Sequence, residues 1–468
     1  MKNTARQVLF GSAALATAQV VANAAAFFLA WAVARGMGEV VYGQFAAAYA
    51  LAMSVAALAD SGVRVTLIRE VAQQPGAWKA LLRNAMVVSI LLAFTVAAGF
   101  FLLVVIKESP HAQGLRLWLL LFALLWTGTR ILLGVPAGHQ RLVSVAVWGA
   151  IERVGGALLV AALAFLTNIN VLGLAQMLCT WEAGVLLAIW VWVHSRTQMA
   201  DPDADRPLIP FVKLAIPFGM AAAVQSVMGK FDLIILGFQQ APDSVGHYAA
   251  AQMLALAVVF LGMAAANALF PSLAGLAKEE RVEQARDLLE PALGLTSLVM
   301  IVVGAVLACI AGPLLGWVYG EGFSQGRPWL MLFALASPFA AVGAVAGSVI
   351  GAWGFQSRWM KLLLLLFPVI AAGYWLMGSW LGMWGVAVVN VAVQVLLMAV
   401  AWRWLSGAGL VSAVWLPKLL LIQCLIGIYL IMVEGWLLFL APCLAIGLVF
   451  LLGVCKLQWT TALLRLAR

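Results

Sequence analysis

Charge is what this 468-residue chain has least of: one residue in ten is Asp, Glu, Lys or Arg, against 65% hydrophobic. Soluble domains carry about 25% charged residues, so a fully water-facing surface is excluded. Cysteine and histidine are scarce as well. Cys179, Cys309, Cys424, Cys443 and Cys455 each stand alone in an apolar run, with no Cys-x-x-Cys or Cys/His spacing. That pattern suggests neither a disulfide framework nor a zinc site. His111, His139, His194 and His247 fall at the ends of apolar runs or in loops and read as solvated. There is no P-loop, no Gly-x-Ser-x-Gly and no metal motif. No cofactor is implied, and the chain does not read as an enzyme. No gap between apolar runs is long enough for a soluble domain; the longest are 194–210, with an acidic DPDADRP centre, and 275–290. The second, KEERVEQARDLLE, has helical periodicity and reads as a short interfacial helix.

What is abundant is apolar sequence of one particular length. About fourteen runs approach the ~20 residues that carry a helix across a ~30 Å hydrocarbon layer. Stretches such as Met360–Leu376 do not alternate, which excludes a membrane β-barrel. The backbone must satisfy its own hydrogen bonds in lipid, so the runs are helices. The first, from about residue 11 to 34, is too long for a signal h-region and reads as a retained span. The formal net charge of +9 comes from Lys and Arg scattered between the runs, not from a nucleic-acid-binding patch. With the N-terminus inside, 21 Lys and Arg fall on the cytoplasmic side and 4 on the other. By the positive-inside rule both termini are cytoplasmic.

The chain also repeats. Gly43-Gln44-Phe45-Ala46-Ala47-Ala48 matches Gly246-His247-Tyr248-Ala249-Ala250-Ala251 at an offset of 203. In each copy the motif follows a short outer loop after the first span of a half, opened by Gly36 and Gly237. Six spans per half give both halves one orientation, related by an axis along the membrane normal, with a substrate cavity between them. The division is a six-helix bundle at 1–195, a cytoplasmic linker at 196–212, a second bundle at 213–405 and an added two-helix hairpin with a tail at 406–468. The expected fold is all-α and polytopic: two pseudo-two-fold-related bundles plus a hairpin.

Ionisable residues inside spans cost a few kcal/mol on insertion scales and mark function or structural pairing. Here they are Asp60, Arg64, Arg130, Glu152, Arg153, Glu182, Lys230 and Asp232, all in spans two to seven. Asp60 and Arg64 are four apart with the acid first, the orientation of a helical ion pair. Glu152 and Arg153 stand near the cytoplasmic boundary. Arg130 lies ~10 Å deep by helix rise and either pairs with Glu182 or is free to meet an anion. Lys230 and Asp232, two apart, point to different faces. Four bases accompany four acids, so the net charge of the site depends on pairing. Arg130, Lys230, Arg64 and Arg153 are the candidate substrate-binding residues, and Asp232 and Glu182 the candidates for coupling to a proton or sodium ion. Gly343, Gly347 and Gly351 form a GxxxGxxxG ridge suited to helix packing. Trp31, Trp317, Trp380 and Trp436 read as interface anchors.

Taken in order, several motifs resemble one family. Gly36-Met-Gly-Glu-Val-Val-Tyr-Gly43, Ala59-Asp60-Ser-Gly62 and Leu67-Ile-Arg69-Glu70-Val-Ala72 are similar to the opening of polysaccharide-repeat flippases, the Wzx-type O-antigen and exopolysaccharide transporters. These belong to the multidrug/oligosaccharidyl-lipid/polysaccharide exporter superfamily. Lys230-Phe-Asp232-Leu-Ile-Ile-Leu-Gly237, Val245-Gly246-His-Tyr248 and Phe270-Pro271 resemble its seventh and eighth helices. The resemblance covers roughly residues 5–400. It implies movement of undecaprenyl-pyrophosphate-linked oligosaccharide from the cytoplasmic to the periplasmic leaflet of the bacterial inner membrane, by alternating access. Polysaccharide polymerase or assembly proteins would be its partners, and nucleic acid would not. The same architecture leaves two alternatives open, a multidrug/cation antiporter and a lipid II flippase. The antiporter commonly uses an acid in the first helix, where this chain has Gln19 and Asn23. A glycan polymerase or ligase would show a large outer loop, and the longest here is about 314–327.

Overall fold

In the computed structural model, which describes residues 2–105, 110–197, 207–412, 415–432 and 441–451, every regular element among them is a helix. Eight are long and apolar enough to cross a membrane. Two of these hold two span-lengths each. Helix α1 (Lys2–Asp60) runs through the expected outer loop and bends at Gly38, where φ is 83° and ψ 176°. Only glycine adopts that backbone without strain, so a kink stands where the sequence reading has a loop. The outer faces are apolar: Leu166 is 81% exposed and Leu365 72%. In water such a surface would aggregate; against lipid chains it is solvated.

The chain divides into two compact units, residues 1–246 and 247–468. The first holds α1, α2 (Val63–Gln73), α3 (Trp78–Val105), α4 (Pro110–Leu132), the short α5 (Gly134–Gly138), α6 (Leu142–Leu166), α7 (Val171–Arg196), α8 (Leu208–Met228), α9 (Phe231–Gln239) and the first turn of α10 (Pro242–Lys278). Helix α1 lies along α6 and α4, and α4 along α7. A buried cluster including Leu67, Trp78, Ile131, Val135, Ile189 and Phe211 fixes α2, α3, α4, α5, α7 and α8 at one end. Helices α8 and α9, which the sequence division groups with the second bundle, pack against α1. They are a single predicted span broken at Gly229–Lys230. Of the linker at 196–212, residues 198–206 lie outside the described residues.

The two copies of the repeated motif touch. A Cβ built on Gly43 would lie 2.7 Å from the Gly246 nitrogen and 2.8 Å from the Pro242 carbonyl carbon. One on Gly246 would lie 3.0 Å from the Glu39 carbonyl carbon. Glu39 and Pro242 are separated by the same 203 residues as the glycines. Each glycine therefore meets the residue four places before its counterpart, the reciprocity that a local two-fold axis produces.

The second unit contains the rest of α10, α11 (Val282–Cys309), α12 (Ala311–Tyr319), α13 (Arg327–Ala352), α14 (Gln356–Gly407), α15 (Trp415–Met432) and α16 (Ala441–Leu451). Helix α14, 52 residues long, bends at Gly382. Helices α15 and α16 pack on α11. The connection before them is tied down by Glu290, whose Oε1 accepts from Arg286 at 3.0 Å and from the Ser412 backbone N–H at 3.1 Å. Three readings change here. Residues 282–290 are not a separate interfacial helix but the first turns of α11, which continues through Pro291. Among the described residues a Cβ built on Gly343 or Gly347 meets no neighbouring helix within 4 Å, whereas one on Gly351 lies 3.4 Å from the Phe270 ring of α10, so only the last ridge glycine is seen against a helix. The close approaches on α13 are at Ala334 and Ala341, against Gly304 and Gly262. His247 is buried rather than solvated, its ring edge-on to Phe323 at 6.0 Å. Trp436 and the C-terminal tail after Leu451 lie outside the described residues.

Candidate anion-binding site

One group of charges gathers in the first unit, around Trp126 of α4. Trp126 and Arg130 are one helical turn apart and share a face, and the Arg130 guanidinium carbon stands 5.3 Å from the indole centroid. Arg153 reaches the same ring from α6, at 5.9 Å. The Glu152 carboxyl of α6 also lies beside this indole. Arg130 lies in the last turn of α4, where helix carbonyls favour a cation. Among the described residues neither Arg130 nor Arg153 makes an ion pair or a hydrogen bond. An aromatic face attracts a guanidinium while leaving its formal charge uncancelled. Both cations are thus held in place and remain available to an anion.

The carboxylates nearby are engaged otherwise. Glu182 of α7 is 1% exposed and sits 2.7 Å from the Thr129 hydroxyl, not in a bridge to Arg130. Of the two options open for Arg130, the bridge to Glu182 is not formed among the described residues. Glu152 is 3% exposed, and its Oε2 has no hydrogen-bond partner among the described residues. Trp181, beside Glu182, donates from its indole to the Glu152 backbone carbonyl at 3.0 Å and so ties α7 to α6. Tyr49 of α1 lies within electrostatic reach of Glu152, Arg153 and Glu182. Arg64 and Asp60 stand at the edge of the group, near enough for their charges to act on Arg130. They form the expected pair, with Arg64 Nε 3.5 Å from Asp60 Oδ2. The Arg64 backbone N–H also donates to Asp60 Oδ1 at 3.1 Å.

Lys230 and Asp232 are elsewhere in the unit. Lys230 occupies the break between α8 and α9, and the charge that acts on it is that of Asp232. Asp232 is fully buried in the first turn of α9 and accepts from the Leu233 backbone N–H at 2.8 Å. A carboxylate there is favoured by the helix N-terminus. Helix α9 is held by Ala50 and Leu51 of α1 against Ile234. It is also held by Arg116, whose guanidinium stacks 4.5 Å from the Phe238 ring. The structure therefore brings Arg64, Arg130, Arg153 and Glu182 together and leaves Lys230 and Asp232 as a separate pair. Sequence reasoning missed Trp126, Thr129 and Tyr49. The Trp126–Arg130 spacing of four was a signal for the first; nothing in the sequence pointed to Tyr49.

Apolar helices of span length with ionisable groups buried among them define a multi-pass membrane protein. The chain belongs to the polysaccharide biosynthesis protein family, which it matches over residues 8–276, more than half its length. Among solved structures it shares the fold of lipid II flippase MurJ in an inward closed conformation, with a TM-score of 0.69 and 15% identity over 94% of this chain and 97% of that one. It is also similar to an inward-facing multidrug resistance MATE transporter of the MOP superfamily, with a TM-score of 0.63 and 14% identity over 84% and 95%. A third is a MOP superfamily transporter from Pyrococcus furiosus, described as having a binding pocket of reverse polarity, with a TM-score of 0.60 and 14% identity over 84% and 94%. No curated protein sequence matches the chain.

Proposed function

We propose that this protein is a flippase that moves undecaprenyl-pyrophosphate-linked oligosaccharide units from the cytoplasmic to the periplasmic leaflet for surface polysaccharide synthesis. The observation that carries the reading is the pair of guanidiniums on one indole, neither cancelled by a carboxylate. A pyrophosphate offers several charged oxygens, and two planar guanidinium forks match them with multiple charge-assisted hydrogen bonds. The polyprenyl tail remains in the bilayer, in contact with the apolar outer faces. Arg64 serves where substrate enters, together with Arg153. Arg130 then holds the pyrophosphate, and Lys230, ~12 Å from the outer end of its span by helix rise, meets it later. Asp232 and Glu182 couple the cycle to a proton or sodium ion. The topology that goes with this reading has fourteen spans and both termini inside. The match to the polysaccharide biosynthesis family favours repeat-unit glycans over the lipid II alternative, which presents the same pyrophosphate.

The test is glycan export in a strain that lacks the chromosomal copy. Arg130→Ala and Arg153→Ala should each abolish surface polysaccharide and leave lipid-linked intermediate on the cytoplasmic leaflet. Wild-type export by both variants, at normal membrane levels, would overturn the assignment.

A further inference from the structure

We propose that Glu152 and Glu182 form a protonation switch that sets whether Arg130 and Arg153 are free to hold an anion, so that binding of the pyrophosphate takes up a proton at this carboxyl pair. The inference rests on the flippase reading and adds to it Glu152, and the manner in which proton and substrate are linked.

Two features of the geometry carry it. The Thr129 hydroxyl oxygen lies 2.7 Å from Glu182 Oε1 and 3.1 Å from the Leu125 carbonyl oxygen. A hydroxyl has one hydrogen and cannot donate fully to both acceptors. With a proton on Glu182, the carboxyl O–H donates to Thr129 and Thr129 donates to Leu125, so both short contacts become good hydrogen bonds. The second feature is Glu152. Its Oε2 is buried with no hydrogen-bond partner among the described residues, although two guanidiniums are near enough for their charges to act on it. An ionised oxygen in that position would ordinarily be drawn into an ion pair or hydrated; a carboxyl O–H accounts for its standing apart.

Among the described residues, the charged or titratable groups that helices packed on α6 and α7 bring to the pair are few. Helix α1 supplies Tyr49 and, at the edge, Asp60. Arg64 of α2 acts on Arg130, itself contributed by α4. Helix α6 adds Arg153 and α7 adds Cys179, while α5 has no titratable side chain. With both carboxyls ionised, Glu152, Glu182, Arg130 and Arg153 sum to a formal charge of zero. With both protonated the sum is plus two. A pyrophosphate therefore binds the protonated form more tightly, and by reciprocity its binding raises the proton occupancy of the pair.

The experiment uses the full-length protein in detergent with farnesyl pyrophosphate as probe. Heats of binding are measured in two buffers of different ionisation enthalpy, which gives the protons taken up per lipid bound. The Glu152→Gln/Glu182→Gln variant is measured in the same way, so the titration of the probe itself cancels in the difference. Wild type should take up close to one proton more than the variant near neutral pH. Its affinity should fall by up to about tenfold more per pH unit as pH rises, while the variant binds more tightly than wild type at high pH. Equal proton uptake by the two proteins overturns the switch and leaves the flippase reading intact. Loss of binding in the folded variant overturns the switch as well, because the carboxyls would then be needed as ligands. Absence of binding by wild type overturns the flippase reading and this inference with it. If the double variant does not fold, Glu182→Gln alone makes the same comparison.

Discussion

Trp126 organises the arginine site without belonging to any motif, and removing it makes the sharpest test of how the site is built. The ring holds two guanidiniums at 5.3 and 5.9 Å, each worth ~0.5–2 kcal/mol in a partly buried setting. Trp126→Leu deletes both contacts. At the lower end of the range the loss is about 1 kcal/mol, roughly fivefold in an equilibrium constant. The consequence for function follows from charge. Released from the indole, either guanidinium is free to swing onto a Glu152 or Glu182 carboxylate and be cancelled as a partner for the substrate. Trp126→Phe keeps an aromatic face and should lose less than Trp126→Leu. The assay is affinity for a short polyprenyl pyrophosphate, run beside glycan export. Wild type should exceed Trp126→Phe, and Trp126→Phe should exceed Trp126→Leu. A folded Trp126→Leu protein within twofold of wild type in both measurements would refute the arrangement.

Gly43→Ala drives a Cβ into the backbone at Pro242 and Gly246; overpacking of this kind costs about 1–3 kcal/mol, so the detergent melting temperature should fall by several degrees. Gly246→Ala, the reciprocal change against Glu39, should match it, while Gly184→Ala, with no neighbour within 4 Å, should not destabilise. Asp60→Asn breaks a pair whose side chains are about a third exposed; it should cost less than ~1 kcal/mol in the same melting assay. The Arg130→Ala/Lys230→Ala double variant should export no glycan, and full export at normal expression would leave both residues as structural charges only. A reporter active only in the periplasm, fused after Arg468, should be silent if both termini are inside.

The sequence alone determined that this is a helical membrane protein. Apolar runs of span length and their lack of alternation leave the backbone no other way to satisfy its hydrogen bonds in lipid. It also showed the Gly43/Gly246 repeat, because close backbone approach at both positions tolerates only glycine, a constraint visible as identity. The Asp60–Arg64 pair was legible for a similar reason, since a spacing of four fixes proximity on a helix before any tertiary contact forms. What the sequence could not decide is which charges cancel. Arg130 and Glu182 are 52 positions apart, and whether they bridge depends on how α4 and α7 rotate against each other. That rotation delivers Thr129, not Arg130, to Glu182, and it brings Arg153 from α6 onto the ring that already holds Arg130. The break at Gly229–Lys230 was equally hidden, because hydropathy reports burial in lipid and not the continuity of a helix. Composition and local spacing fix which residues enter the membrane; helix rotation and packing, set by side-chain volumes distant in sequence, decide which of their charges remain free.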